Sequence, residues 1–158
     1  MSLFDTQKYT SEIEAARCAL AEMADELIMS PSESPLTRDT WRSLPAKPGV
    51  YLIYAGQTMI YVGESGSLQG RAKDLFRTVN HSFRRELGKK LYGDRPNFVP
   101  ATSSRKFVDE IEAELTAHME SRLTFKAMVV EVGRKEVEEH ICERIKTGML
   151  MNKRKRRR

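Results

Sequence analysis

Two short strings hold the side chains best suited to catalysis or ligand binding in this 158-residue chain. They are Gly49-Val50-Tyr51 and Tyr61-Val62-Gly63, whose tyrosines lie ten residues apart, and Arg71 follows the second string. Phenol hydroxyls and a guanidinium can hold or activate a bound substrate. Glycine lets the backbone approach closely because it lacks a Cβ. The spacing therefore predicts a compact active site.

The elements around these strings are typical of an α+β fold. Strand-forming runs over 49–54 and 59–63 flank the turn at 55–58, which predicts a β-hairpin. Helical patterns follow over 67–77, which contains Arg71, and over 82–91. A third strand is expected over 125–132, and a last helix over 134–146. The expected architecture is a small three-stranded sheet, the hairpin plus a third strand, flanked by helices.

An added helix is expected near the N-terminus, because Ile13, Leu20 and Leu27 recur at helical spacing. This amphipathic helix and a proline-containing linker make up residues 1–44. The expected catalytic domain covers 45–152, with an insertion and its own helix at 93–122. A basic tail covers 153–158. The N-terminal helix is expected to pack on the body or to build a homodimer.

The charge of the chain is unevenly distributed. The net charge is +5, but residues 1–33 hold seven acids and two bases, whereas residues 134–158 hold ten bases and four acids. Basic surfaces attract polyphosphates through counterion release, which favours nucleic acid as the partner over a purely solubilising role. No apolar run approaches the length of a membrane span, and the two cysteines fit a reducing compartment. The composition therefore predicts a cytoplasmic protein with no membrane partner.

The paired strings resemble the signature of the GIY-YIG nuclease superfamily, with valine in place of isoleucine in both. The family pattern after the second string, Tyr-Ile/Val-Gly-x-Ser/Thr-x-x-Leu-x-x-Arg, is matched through Ser65, Leu68 and Arg71. The resemblance implies an endonuclease that hydrolyses phosphodiester bonds in DNA. It also implies a divalent metal cofactor, Mg²⁺ or Mn²⁺.

The resemblance also implies roles for the motif residues. Arg71 would grip the scissile phosphate, because its planar guanidinium stays charged and matches phosphate geometry. Tyr51 would act as general base or orient water, and Tyr61 would hydrogen-bond phosphate or water beside it. Supporting roles fall to Gly49, Gly63 and Ser65.

The metal ligand in this family is a glutamate on the helix after the third strand. The family glutamate precedes a pair of apolar residues by three and four positions, which selects Glu138 and leaves Glu139 as the alternative. A single glutamate is sufficient, because Mg²⁺ keeps several waters and often takes one or two carboxylates. Asn152 resembles the terminal asparagine of the family, although it lies slightly late and lacks the usual preceding proline.

Two positions depart from the family pattern. Many members carry tyrosine or histidine four residues after the arginine, where this chain has Leu75. His81 is the nearest residue that could supply the missing group, and histidine titrates near neutral pH. Glu64 stands where some relatives have lysine, and it either approaches the metal or weakens the analogy.

Contacts with the DNA backbone are expected from Arg84 or Arg85 and from Lys153 and Arg154 in the tail. Trp41 either stacks on a base or packs in the core. Two rival hypotheses remain open. The first is a DNA-binding module of the same fold without catalysis, and the second is a basic structural protein that binds RNA.

Overall fold

The computed structural model describes residues 7–145 and 150–152. Within them, six helices and a four-stranded antiparallel sheet form an α+β fold. The helices follow a 3-10 turn at Gln7–Tyr9 and are α1 Thr10–Met29, α2 Arg38–Arg42, α3 Leu68–Leu75, α4 Ser82–Tyr92, α5 Asp109–Arg122 and α6 Arg134–Arg144. The strands are β1 Ser34–Pro35, β2 Gly49–Ala55, β3 Thr58–Ser65 and β4 Leu123–Val129, in the order β1-β4-β2-β3.

The predicted hairpin is confirmed as the β2–β3 pair, but the expected count of three strands is wrong. The fourth strand is β1, in which Ser34 pairs with Phe125 on the outer edge of β4. It is only two residues long and contains a proline, so it has no alternating pattern for sequence analysis to detect. The predicted third strand is present as β4 and starts two residues earlier than expected.

The sheet has a core on each face, because successive side chains of a strand point to opposite sides. From β2, Tyr51 and Ile53 face the core that includes residues of α2 to α5. Val50 and Leu52 face the core that includes residues of α1 and α6. The sheet is therefore covered by helices on both faces, and the catalytic candidates of the hairpin lie between these layers.

Residues before position 45 contribute to both cores. Leu27 of α1 is 2% exposed and belongs to the α1–α6 core. Trp41 of α2 is fully buried, and its Nε1 donates to the carbonyl of Leu68 at 2.9 Å. Trp41 thus belongs to the core and does not stack on a base. Among the helices of the described ranges, none has both the length and the apolarity to span a bilayer.

Candidate active site

A cleft of about 240 Å³ opens beside β3, the edge strand of the sheet. Residues from the hairpin, from α3, from the start of α4 and from α6 line it. The lining residues are Tyr51, Tyr61, Gly63, Glu64, Arg71, Asn80, His81, Ser82 and Glu138. The cleft therefore brings together five side chains that the sequence places far apart, Tyr51, Tyr61, Arg71, His81 and Glu138.

Gly63 makes room for the Tyr51 ring. The two residues are direct cross-strand partners in the β2–β3 register. A Cβ at Gly63 would lie closer than 3.0 Å to three atoms of the Tyr51 side chain. The absence of that Cβ lets the phenol cross the edge strand and reach the cleft. The second glycine of the paired strings therefore has a steric function in placing the first tyrosine.

Gly49 and Ser65 support the junction between β3 and α3. A Cβ at Gly49 would lie closer than 3.0 Å both to the backbone oxygen of Met128 and to the side chain of Leu68, the first residue of α3. Ser65 does not cap α3, because the cap is Ser67, whose Oγ accepts from the amide of Gly70 at 3.0 Å. Ser65 instead donates to the carbonyl of Ser67 at 2.8 Å and accepts from its amide. Its function is to shape the turn that leads into α3.

Arg71 lines the cleft with a guanidinium that is only partly satisfied. Its side chain is 31% exposed, and its nearest acid is Asp74, at 3.9 Å. Its Nε is buried and has no hydrogen-bond partner among the described residues. A buried donor without an acceptor is costly, so this atom is suited to an anionic ligand.

His81 is a buried neutral residue and not an exposed loop histidine. It is 3% exposed, and burial, followed by the nearby Arg71, lowers its pKa to about 4. Its Nδ1 caps α4 by accepting from the amide of Phe83 at 3.3 Å. The single proton of the neutral ring is therefore on Nε2, which lies 3.0 Å from the Tyr51 hydroxyl and donates to it.

The two tyrosines continue this hydrogen-bond chain. Burial raises the pKa of Tyr51 well above its usual value, and the residue is 1% exposed. The neighbouring Tyr61, whose ring centroid lies 6.1 Å from that of Tyr51, is the next cause that raises the pKa of Tyr51. Burial is the main cause that raises the pKa of Tyr61, but a hydrogen bond with Ser82 opposes it. Tyr61 is half-buried and is the more accessible phenol.

The carboxylates of the cleft come from α6 and β3. Glu138 is half-buried and lines the cleft, whereas Glu139 is exposed and is not among the lining residues. Glu64 also lines the cleft, and its Oε2 accepts from Nε of Arg134 at 2.6 Å. Carboxylate oxygens are the ligands that Mg²⁺ prefers, so Glu138 and Glu64 fit a divalent cation. Within 7–145 and 150–152, no group of three or more potential ligands gathers.

Asn152 supports the edge strand. Its Oδ1 accepts from the amide of Val62 at 3.1 Å, and its Nδ2 donates to the carbonyl of the same residue at 2.6 Å. The amide of Met151 also donates to the carbonyl of Ile60. These bonds satisfy the outer edge of β3 beside Tyr61 and Gly63. Asn152 thus acts on the site through the backbone that holds it.

The expected DNA contact at Arg84 is wrong. Arg84 is 1% exposed, and its guanidinium binds Glu112 at 2.9 Å together with Thr78 and Thr116. It therefore ties α4 to α5 and cannot reach a phosphate. Arg85 is half-buried and donates to two backbone carbonyls. Lys153 and Arg154 lie outside the described residues.

Sequence reasoning missed two polar residues of the cleft. Asn80 and Ser82 lie on either side of His81 and line the same cleft. Their position next to a candidate histidine was the available signal. Leu75, which stands at the expected histidine or tyrosine position, is fully buried in the core. His81 lies in the cleft instead, because the turn before α4 carries it there.

No family model, curated protein or solved structure matches this chain.

The buried His81 is expected to make stability depend on pH. The pKa of the unfolded imidazole lies near its usual 6.5 and that of the folded one is about 4, so the unfolded state binds more protons between these values. Stability should therefore fall as pH decreases through this window. The loss from this group should be roughly 2–3 kcal/mol between pH 7 and 4.5.

Urea unfolding of the wild type and of His81→Asn at both pH values measures this effect. Asparagine keeps a capping acceptor but does not titrate. The His81→Asn variant should therefore lose less stability in acid than the wild type, by that amount. His140→Asn on α6 is the matched control. Equal acid sensitivity of wild type and His81→Asn would contradict the prediction.

Proposed function

We propose that the protein is a metal-dependent DNA endonuclease of the GIY-YIG type. The observation that supports this function is the convergence of two phenols, Arg71 and Glu138 on one cleft. These are a base or water-orienting group, an anion-binding group and a metal ligand, which together meet the needs of phosphodiester hydrolysis. The family resemblance of the paired strings, taken from sequence, agrees with the same function.

Arg71 binds the scissile phosphate in this proposal. The acceptor that its buried Nε lacks is supplied by a non-bridging phosphate oxygen. A guanidinium in a partly desolvated cleft also stabilises the additional negative charge that develops as water attacks phosphorus. Lysine has no planar fork and would bind the same group as a point charge only.

Tyr61 faces the attacking water, and Tyr51 supports it. Tyr51 is almost fully buried beside Tyr61, and His81 donates a hydrogen bond to its hydroxyl. Burial raises the pKa of Tyr61 although the neighbouring Ser82 opposes it, so the phenol keeps its proton near neutral pH and acts on water by hydrogen bonding. In the reaction, Tyr61 orients the attacking water, which forms a bond to phosphorus as the bond to the leaving oxygen breaks. The proton that the water loses passes through solvent to that leaving oxygen. Tyr51 and His81 are then positioning residues.

Glu138 is the principal metal ligand of the proposal, and Glu64 is available as a second carboxylate. When bound, Mg²⁺ or Mn²⁺ neutralises phosphate charge and stabilises the departing oxygen. Arg134 holds Glu64 and lies one helical turn before Glu138 on α6. This ion pair therefore fixes the start of the helix that positions the ligand.

Plasmid nicking tests the function. The wild type should nick supercoiled plasmid DNA in Mg²⁺ and lose that activity in EDTA. Glu138→Gln should reduce the rate at least about tenfold, because the amide is neutral and a weaker ligand for a hard cation. Glu139→Gln, the adjacent exposed residue, is the matched control and should keep the parent rate.

The outcomes separate the proposal from its rivals. Binding of duplex DNA without cleavage in either Mg²⁺ or Mn²⁺ would favour a non-catalytic DNA-binding module. A preference for structured RNA over duplex DNA at matched salt would favour an RNA-binding structural protein. If Glu138→Gln cuts at the parent rate and Glu139→Gln does not, the assignment of the metal ligand is reversed.

A further inference from the structure

A second cavity, of about 180 Å³, lies between α2 and α3. It is referred to below as the α2–α3 groove. Helix α2 contributes two arginines, α3 contributes an alanine and a lysine, and the chain just after α3 contributes a phenylalanine and an arginine. The lining residues are Arg38, Arg42, Ala72, Lys73, Phe76 and Arg77. All four charged residues of this groove are therefore basic.

These four charges are available to an outside anion. Their side chains are exposed. Arg42 has an ion pair with Asp39 at 3.5 Å, but both side chains are well solvated, so that pair contributes little. Among the described residues, neither Lys73 nor Arg77 has an ion-pair partner. Four cations around one small cavity repel each other, and a polyanion relieves that repulsion.

Phe76 gives the groove a fixed floor. Its ring is 7% exposed, and the guanidinium carbon of Arg38 lies 5.3 Å from the ring centroid. This cation–π contact holds Arg38 over the floor, opposite Lys73 on α3 and Arg77 just after that helix. A held guanidinium loses less side-chain entropy when it binds a phosphate than a freely moving one does. The groove is thus partly organised for its ligand.

The groove is linked to the catalytic cleft through α3. This helix carries Arg71 in the cleft and Lys73 in the groove. Two residues turn a helix by about 200°, so the cleft and the groove lie on opposite sides of α3, which is about 10–12 Å across with its side chains. Successive phosphates of one DNA strand advance by about 3.4 Å along the duplex axis. About three such steps cover the width of α3, so phosphates close to the one bound at Arg71 are within reach of the groove.

We propose that the α2–α3 groove binds backbone phosphates of duplex DNA that flank the phosphodiester held in the cleft. The choice of DNA rests on the proposed function, while the anion chemistry rests on the groove itself. Arginine and lysine side chains that bind phosphates carry no sequence information, so the groove adds affinity and sets register along the duplex.

The salt dependence of binding tests this proposal. The affinity of the wild type for a short duplex is measured in EDTA across a range of salt, so that no cleavage occurs. Lys73→Ala/Arg77→Ala and Arg38→Ala/Arg42→Ala should each weaken binding roughly tenfold at moderate salt. Each should also flatten the plot of log K against log salt by about 1 to 2, because each lost phosphate contact removes about 0.9.

Lys89→Ala/Lys90→Ala on α4 is the matched control, since it removes the same number of exposed charges outside the groove. It should change the slope less than either groove pair does. If both walls hold the same phosphates, the quadruple variant should lose less affinity than the sum of the two pairs. The proposal would be overturned if each groove pair lost no more affinity than the control and the losses of the two pairs simply added in the quadruple variant.

Three further outcomes separate the groove from the nuclease. Flattened slopes in a protein that fails to nick plasmid would support the groove and overturn the nuclease. Normal nicking with unchanged slopes would overturn the groove alone. Tighter binding of duplex RNA than of duplex DNA, with the same loss in the groove variants, would overturn the assignment to DNA.

Discussion

Replacing Arg71 with lysine should reduce plasmid nicking by about 10²- to 10³-fold, the range typical of removing one preorganised group that stabilises a transition-state charge. The guanidinium has a buried Nε without a partner among the described residues, and its nearest acid is 3.9 Å away. The guanidinium therefore forms no close ion pair on which the fold depends. Lysine keeps the positive charge but loses the planar fork that matches phosphate.

The Arg71 experiment separates catalysis from affinity. Nicking rates are measured at saturating enzyme, and duplex affinity is measured separately in EDTA. We expect the rate to fall far more than the affinity, because lysine still attracts the ground-state phosphate. Arg17→Lys, on the exposed part of α1, is the matched control. An Arg71→Lys enzyme that cuts at the parent rate would exclude Arg71 from the reaction.

Replacing Gly63 with alanine should reduce nicking about 10²-fold, the cost expected when a group of the site is displaced by about 1 Å. The new Cβ would lie closer than 3.0 Å to the Tyr51 ring. That ring cannot retreat easily, because it is 1% exposed and packs edge-on against Trp41 at 5.0 Å. Overpacking of this kind should also cost about 1–3 kcal/mol of stability.

Gly66→Ala provides the matched control for Gly63→Ala. It lies three residues further along the chain, and a Cβ there would have no neighbour within 4 Å. Nicking rates and urea unfolding are measured for both variants. The comparison fails to support the steric function if Gly66→Ala and Gly63→Ala behave alike. Loss of nicking by Gly63→Ala at near-parental stability would show that the Tyr51 position itself matters.

The hairpin could be read from the sequence because its signals are local. Strand-forming runs, a turn between them and a helix after Ser67 place Tyr51, Tyr61 and Arg71 with short spacings. Over such distances, backbone periodicity alone decides which side chains share a face. The Tyr51–Gly63 pairing does not follow from the turn, because a two-residue turn alone would pair Tyr51 with Val62. A register shift between Ile53 and Tyr54 moves the partner of Tyr51 to Gly63.

The sequence alone was therefore enough to identify the two strings, the arginine at the matching spacing after them and the net positive charge. The tertiary structure decided how distant segments meet. It turned Glu138 and not Glu139 toward the cleft, buried Arg84 against Glu112, and gave His81 a single proton that it donates to Tyr51. Each of these outcomes depends on where one helix lies against another. Sequence spacing cannot encode that placement, because it results from the packing of two cores on opposite faces of the sheet.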